Sequence, residues 1–139
     1  MSGSLPFEIS VSQWVDKAKA NAGAAFQATA MDALARVKQL TPVKTGYLRA
    51  NWFAVRGGDA IPVAGSPDQS NSVIAGLRLG DRVVLANPCV YALRIEFGYV
   101  GVDSLGRHYN QQGAGMMQQT YHEMPQIAAR ATARIVGPS

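Results

Sequence analysis

The side chains of this sequence that could perform nucleophilic chemistry are one cysteine and two histidines. Cys89 is the only thiol of the chain, and His108 and His122 are the only imidazoles that could act as its base. Nucleophilic catalysis needs a nucleophile, a base and a third group that orients the base. Cys89 follows a predicted strand, where a single cysteine is typical of a small buried side chain. We therefore interpret Cys89 as a core residue and expect no enzymatic activity.

The sequence contains no pattern that typically holds a metal or a phosphate. Zinc sites place their ligands in close pairs, such as Cys-x-x-Cys or His-Glu-x-x-His. His122-Glu123 lacks the second histidine of such a pair. Gly113-Ala114-Gly115 lacks the lysine and the preceding strand of a phosphate-binding loop. We therefore expect no metal and no cofactor.

Glu96 is the only acidic residue of a short apolar segment that is predicted to be helical. A carboxylate in such a segment needs a partner, because burial of an unpaired charge is costly. One interpretation is a catalytic acid, and the other is an ion pair or a helix-capping contact. We favour the structural interpretation, with Arg49 as the first candidate partner and Arg94 as the second.

The composition is that of one domain with little surface charge. The 139 residues fit a single domain of about 150 residues, and 47% hydrophobic residues supply an ordinary core. The net charge is +4, yet only 16% of the residues are charged, compared with about 25% in soluble domains. The basic residues are dispersed, whereas nucleic-acid-binding proteins concentrate them on one helix or loop. This low charge density is typical of a surface that other subunits cover in part.

Neither a membrane segment nor a secretion signal is predicted. Apolar runs stay far below the roughly 18 residues that a transmembrane helix requires. The N-terminus carries no basic flank followed by an apolar stretch. The single cysteine is what a reducing cytoplasm leads us to expect.

Apolar residues at three-and-four spacing predict a long helix over residues 12–39, with Ser10 or Ser12 as its N-cap. We expect the face that carries Trp14 and Phe26 to pack in the core of its own domain rather than against another subunit.

The middle of the chain alternates short elements with loops. Strands are predicted at residues 51–56 and 82–86, and short helices at residues 72–79 and 91–97. Glycine, proline and polar residues predict extended loops at residues 57–71 and 99–115.

The last segment predicts a second long helix. Its apolar side chains share one helical face, which consists of Met117, Tyr121, Met124, Ala128, Ala131 and Ile135. Pro125 lies within this helix, where proline is expected to kink it or to divide it into two pieces.

Two motifs connect these elements. The first is Thr-Pro-Val-Lys-Thr-Gly-Tyr-Leu-Arg at residues 41–49, and the second is Asn-Pro-Cys-Val-Tyr-Ala with Glu-Phe-Gly at residues 87–92 and 96–98. Gly46 and Gly98 each follow a turn or helix, where positive φ costs little only for glycine. We therefore expect both glycines to serve the backbone rather than chemistry.

In this order and spacing, the motifs resemble the siphophage tail-component family of tail-completion or head-tail joining proteins, which includes minor tail protein Z-like members. That family shows a TPVDTGRLR-like segment, an N-x-x-x-YA-x-x-x-E-x-G segment, and a glycine-methionine start to the last helix. The similarity spans about residues 10 to 135. The matching residues are Thr41, Pro42, Thr45, Gly46, Leu48, Arg49, Asn87, Tyr91, Ala92, Glu96, Gly98, Gly115 and Met116.

The resemblance implies one α+β domain over residues 1–139. In it, a long N-terminal helix and a C-terminal helix pack on a small antiparallel β-sheet, with an N-terminal arm at residues 1–9 and the two extended loops. It implies a structural virion protein that forms a homo-oligomeric ring, hexameric in the family, in the tail or neck, after synthesis in the host cytoplasm. The implied partners are the tail tube or tail terminator protein and the head connector or head-completion proteins. Basic residues could face a lumen through which DNA passes.

The alternative function is that of a small basic nucleic-acid-binding protein, and it rests on the sequence pI of about 9.5. Such a protein would bind more weakly as the salt concentration rises. A third hypothesis is a hydrolase that uses Cys89 or a histidine. This hypothesis requires that Cys89→Ser abolishes a measured activity.

Overall fold

The computed structural model describes residues 5–9, 22–43, 46–102 and 104–136, and it has an α+β fold. The elements are β1 (Leu5–Ile9), α1 (Ala22–Gln39), α2 (Tyr47–Ala50), β2 (Phe53–Arg56), α3 (Ser70–Ala75), β3 (Val83–Asn87), α4 (Ala92–Phe97), β4 (Gly98–Val102), β5 (His108–Gln112) and α5 (Met116–Val136). The predicted strands and short helices of the middle region are confirmed, with ends that differ by at most four residues.

The core lies against a three-stranded antiparallel sheet with the order β1-β3-β2. Val55 of β2 lies opposite Val84, and Phe7 of β1 lies opposite Leu85. The central strand β3 is buried at Val83 and Leu85 on one face and at Ala86 on the other. Its run of apolar residues is therefore the sequence signal of a strand that is covered on both sides.

Residues 5–9, which we expected to form an N-terminal arm, form the edge strand β1 instead. Leu5 is buried, and the Phe7 ring contacts the Trp52 ring edge to face with centroids 5.8 Å apart. The ladder alternation places the backbone of Pro6 on the side that faces away from β3. The missing N–H of this proline therefore costs no hydrogen bond of the sheet.

Helices α1 and α5 form the most extensive helix-helix contact. Helix α1 ends at Gln39, as predicted, and Phe26 is fully buried in the core. The predicted start of this helix, including Trp14, lies outside the described residues. Two ion pairs cross the helix contact: Arg36 binds both carboxylate oxygens of Glu123 at 2.7 and 2.9 Å, and Arg134 lies 3.1 Å from Asp32.

The Arg36–Glu123 pair predicts one part of the pH dependence of stability. The hydrogen bond from Arg36 lowers the pKa of Glu123 from 4.5 to about 2. A lowered pKa stabilises the fold above pH 4.5, and this contribution is lost as the pH falls towards 2. Because Arg36 is partly exposed, solvent screens the pair, and we expect this contribution to stability to be small. Urea unfolding of the natural protein and of Glu123→Gln between pH 2 and 7 measures it, and parallel stability curves would contradict the prediction.

Helix α5 is continuous from Met116 to Val136, so the expected division at Pro125 is wrong. Pro125 and Tyr121 are both on the exposed side of the helix. On the exposed side of a helix a proline is least costly, because water can replace the hydrogen bond that its missing N–H would make.

The predicted apolar face of α5 is correct at its centre, where Met124, Ala128 and Ala131 are fully buried. Tyr121 and Ile135 are exposed.

Residues 99–115 do not form the extended loop that we expected. Strands β4 and β5 pair antiparallel and form a separate two-stranded sheet, in which Val100 lies opposite Asn110. We call residues 98–102 and 104–112 the hairpin. Its polar composition resembles that of a loop because much of it is exposed, as at Val100, Val102 and Asn110. Residues 57–69 are irregular, and α3 begins at Ser70.

Candidate functional site

The two motifs meet at the buried side chain of Asn87. Its amide nitrogen donates to the Leu48 carbonyl at 2.7 Å, and its amide oxygen accepts the Cys89 N–H at 3.1 Å. Leu48 and Ala92 are buried nearby in the same core. The asparagine thus ties the end of β3 to α2, so the first and second motifs form one junction.

Thr41 organises the start of the first motif. Its hydroxyl donates to the Val37 carbonyl at 2.6 Å and accepts the indole N–H of Trp52 at 2.9 Å. The Arg49 guanidinium donates to the Thr41 carbonyl at 3.2 Å. Pro42 lies three positions after the last residue of α1, where proline is common because it cannot continue the helix. Thr45 lies outside the described residues.

Glu96 joins the second motif to the start of α5. The side chain is 1% exposed, and its two carboxylate oxygens accept the backbone N–H groups of Met117 at 2.8 Å and of Gln118 at 3.0 Å. Two backbone bonds reinforce this contact: Gly115 N–H donates to the Glu96 carbonyl at 3.1 Å, and Ala114 N–H to the Ile95 carbonyl at 2.7 Å. We call this set of contacts the Glu96 clasp.

The clasp corrects our expectation for Glu96. We expected a guanidinium, first that of Arg49, whereas the partners described are backbone amides at a helix N-terminus. The capping interpretation is therefore confirmed. A negative charge is favourable there because the first N–H groups of a helix have no partner within it and the helix dipole is positive at that end. The Gly115-Met116 pair of the resemblance lies at this contact, and Met116 is fully buried.

Gly46 and Gly98 have the backbone conformations that we expected. Gly46 precedes α2 with φ 81° and ψ −10°, and Gly98 ends α4 with φ 86° and ψ 176°. Asparagine tolerates the left-handed region near Gly46, whereas the region occupied by Gly98 is almost exclusive to glycine.

Valine at either glycine is expected to lower the free energy of unfolding by about 1–3 kcal/mol, since a β-branched residue is strained at positive φ. Gly46→Asn should recover part of this loss, while Gly98→Asn should not. Thermal and urea unfolding of the four variants provide the measurement. Equal stability of all four variants and the natural protein would show that neither conformation matters.

The structure does not bring the candidate nucleophile and the histidines into one site. Cys89 is buried behind Asn87, and burial raises the pKa of its thiol, although a hydrogen bond with Tyr91 opposes the shift. His108 and His122 are exposed, one on the hairpin and the other on α5. Within the described ranges, no group of three or more histidine, cysteine or acidic residues is arranged to hold a metal ion. No helix in the same part of the chain has the length and apolarity to cross a membrane.

Two surface features lie outside the core contacts described above. The first is the hairpin, on which Val100 and Leu105 are 77% and 76% exposed. The second is a pocket of about 320 Å³ between β2 and residues 59–73, which we call the β2 pocket. Sequence reasoning missed both, because the hairpin reads as a loop and the pocket combines residues from separate segments.

Comparisons with protein-family models, with curated proteins and with solved structures found no match for this chain. Its function therefore has to be inferred from the motif residues and from the two surfaces.

Proposed function

We propose that this chain is a structural subunit of a siphophage tail. It forms a ring, hexameric as in the family that it resembles, at the head-proximal end of the tail, where it joins or completes the tail. The ring lies between the tail tube or tail terminator and the head connector or head-completion proteins. The lumen of such a ring passes DNA, to which basic side chains can present non-specific contacts.

The observation that carries the proposal is the contact between the matching segments. Leu48 and Asn87 are hydrogen-bonded across 39 positions, and Glu96 reaches Met117, next to the Gly115-Met116 pair, across 21 positions. If the similarity of these short segments were due to chance, residues of one segment would not need to contact residues of another. These hydrogen bonds hold the fold together and take no part in chemistry. Proteins whose common role is to assemble, and not to catalyse a reaction, are expected to share contacts of this kind.

The exposed surface offers a second argument. Large apolar side chains lie exposed on the hairpin, and only 16% of the chain is charged. Interface cores are depleted of charge and rich in apolar side chains. A closed ring also needs two different patches on each subunit, and the hairpin and the β2 pocket are two separate surfaces of this one.

The mass of the purified protein in solution tests the proposal most directly. We expect light scattering at micromolar to near-millimolar concentrations to give a multiple of the 14.8 kDa subunit, and electron microscopy to show rings and to locate the protein at the top of assembled tails. A strict monomer that is also absent from purified virions would refute the proposal. DNA binding that weakens steeply with salt, without oligomers, would favour the nucleic-acid-binding alternative.

A further inference from the structure

We propose that neighbouring copies of this chain join through their hairpins, with strand β5 of one copy pairing with strand β4 of the next in a continuous antiparallel sheet. This inference rests on the proposed function, because it names the contact through which the ring would close. The partner at each outer edge of the hairpin is thus a second copy of the same chain.

The hairpin presents two strand edges without a neighbouring strand. It forms a sheet of its own, and within the residues that the structure describes no third strand joins it. The outer side of each strand therefore carries backbone N–H and C=O groups that no strand of this sheet can pair. Such a row of groups is a template for a strand of another chain. A two-stranded ribbon is also marginally stable by itself in water, so it gains from the addition of further strands.

The two edges of the three-stranded sheet are protected against such an addition. At one edge, Pro6 of β1 has no N–H to offer on the side that faces away from β3. At the other edge, the Ala54 N–H of β2 donates to the Ser70 hydroxyl at 2.9 Å, and Ser70 is the first residue of α3. A proline and a helix thus protect one sheet, whereas the hairpin is the sheet whose edges can accept a strand.

The composition of the two hairpin strands fits pairing between identical chains. β4 consists of Gly-Tyr-Val-Gly-Val and β5 of His-Tyr-Asn-Gln-Gln. Natural edge strands avoid pairing by means of proline and charged side chains such as lysine, and these two strands contain no proline, lysine, arginine, aspartate or glutamate. Two copies can therefore approach without repulsion between like charges. The charged residues between the strands, Asp103 and Arg107, have opposite signs and add no net charge.

The ladder within the chain indicates which strand pairs with each outer edge. Val100 lies opposite Asn110, and Val102 lies opposite His108, so the sequences of β4 and β5 are compatible as antiparallel neighbours. A β5 strand from another copy would repeat this pairing on the outer side of β4. Val100 and Val102, which are 77% and 51% exposed, would each gain a second cross-strand neighbour. A contact of β4 with β4 would not repeat any pairing of the structure.

This arrangement uses a different edge of each copy. One neighbour receives the β4 edge, and the other receives the β5 edge, so the contact is heterologous. A heterologous contact produces a ring when the rotation between copies closes. Closure of a sheet on itself also removes its free edges, so the completed ring would leave no hairpin strand without a partner on either side.

Disulfide cross-linking between two singly substituted copies tests the pairing. One copy carries Val100→Cys on β4, and the other carries Asn110→Cys on β5, while the natural Cys89 is buried. An oxidised equimolar mixture should give a dimer of twice the 14.8 kDa subunit on a non-reducing gel, because side chains on adjacent strands lie within disulfide reach. Each variant alone should give no cross-link, since like strands do not meet. A second mixture, with His108→Cys in place of Asn110→Cys, covers a ladder that is shifted by two positions.

Leu79→Cys is the matched control for these mixtures. Leu79 is 55% exposed and lies outside the hairpin, so its mixture with Asn110→Cys should give no cross-link. All of the substituted residues are exposed, and circular dichroism and melting curves establish that each variant is folded.

Each other outcome overturns the inference. If neither mixture forms a cross-link, β4 and β5 of neighbouring copies are not adjacent. If Val100→Cys alone forms a dimer, β4 meets β4. A cross-link of equal yield with Leu79→Cys would show random collision instead of pairing. Rings of the natural protein combined with any of these results would leave the proposed function intact, whereas a natural protein that is monomeric and absent from virions would refute both.

Discussion

Glu96→Ala is expected to lower the free energy of unfolding by about 3 kcal/mol or more, because two N–H groups lose their partner and each such loss costs about 1–3 kcal/mol. The carboxylate is 1% exposed and holds the amides of Met117 and Gln118. Its removal also leaves a small cavity, which adds to the cost. Urea denaturation monitored by circular dichroism gives the change, provided that the slope with denaturant stays constant.

Glu96→Gln separates the charge from the shape of this side chain. Glutamine keeps one acceptor oxygen but places an NH₂ group opposite the second amide. The stability of the Glu96→Gln variant should therefore fall between those of the natural protein and Glu96→Ala. Hydrogen exchange at Met117 and Gln118 should become faster in the same order. Unchanged exchange at these two amides in Glu96→Ala would show that the clasp does not hold the start of α5.

Gly113→Ala is the second change with a large expected effect. A β-carbon at residue 113 would overlap the Glu96 carbonyl oxygen and would lie 2.7 Å from the Phe97 carbonyl carbon. Both neighbours are backbone atoms of α4, so they cannot move aside without displacing the helix end. We expect a loss of about 3 kcal/mol, the upper part of the range for overpacked sites.

Gly23→Ala is the matched control for this substitution. Gly23 lies in α1, and a β-carbon there meets no atom within 4 Å in the part of the chain that the structure describes. Alanine in a helix is more favourable than glycine by about 1 kcal/mol, so this variant should melt at the same or a higher temperature. Equal melting temperatures for Gly113→Ala and the natural protein would mean that the backbone of α4 accommodates the methyl group.

The helices and the central strand could be predicted because they carry periodic apolar patterns. Val83 and Leu85 are enclosed by protein on every side, and helix α1 repeats its apolar residues every three or four positions. The hairpin could not be predicted in this way, since an exposed two-stranded ribbon has little apolar alternation to reveal it. β1 was missed for a related reason: a five-residue strand with a proline resembles an irregular terminus unless its partner strand is known.

The candidate site was predictable only in part. The sequence indicates that Glu96 needs a partner. It does not indicate that the partners are two backbone amides, because almost every residue type has a backbone N–H. The glycine at residue 113 was the available clue, since glycine often marks a close approach of two backbone segments. Asn87 is a comparable case, because its side-chain amide donates to the backbone carbonyl of Leu48. Every residue has such a carbonyl, so the sequence does not indicate which residue is the partner.

The Glu96 clasp also determines how the molecule would respond to mechanical force. The hairpin leaves α4 at Gly98 and returns to the clasp at Ala114 and Gly115. Tension applied to the hairpin would therefore load both ends of the ribbon at one anchor. This tension would reach α4 and the start of α5 directly.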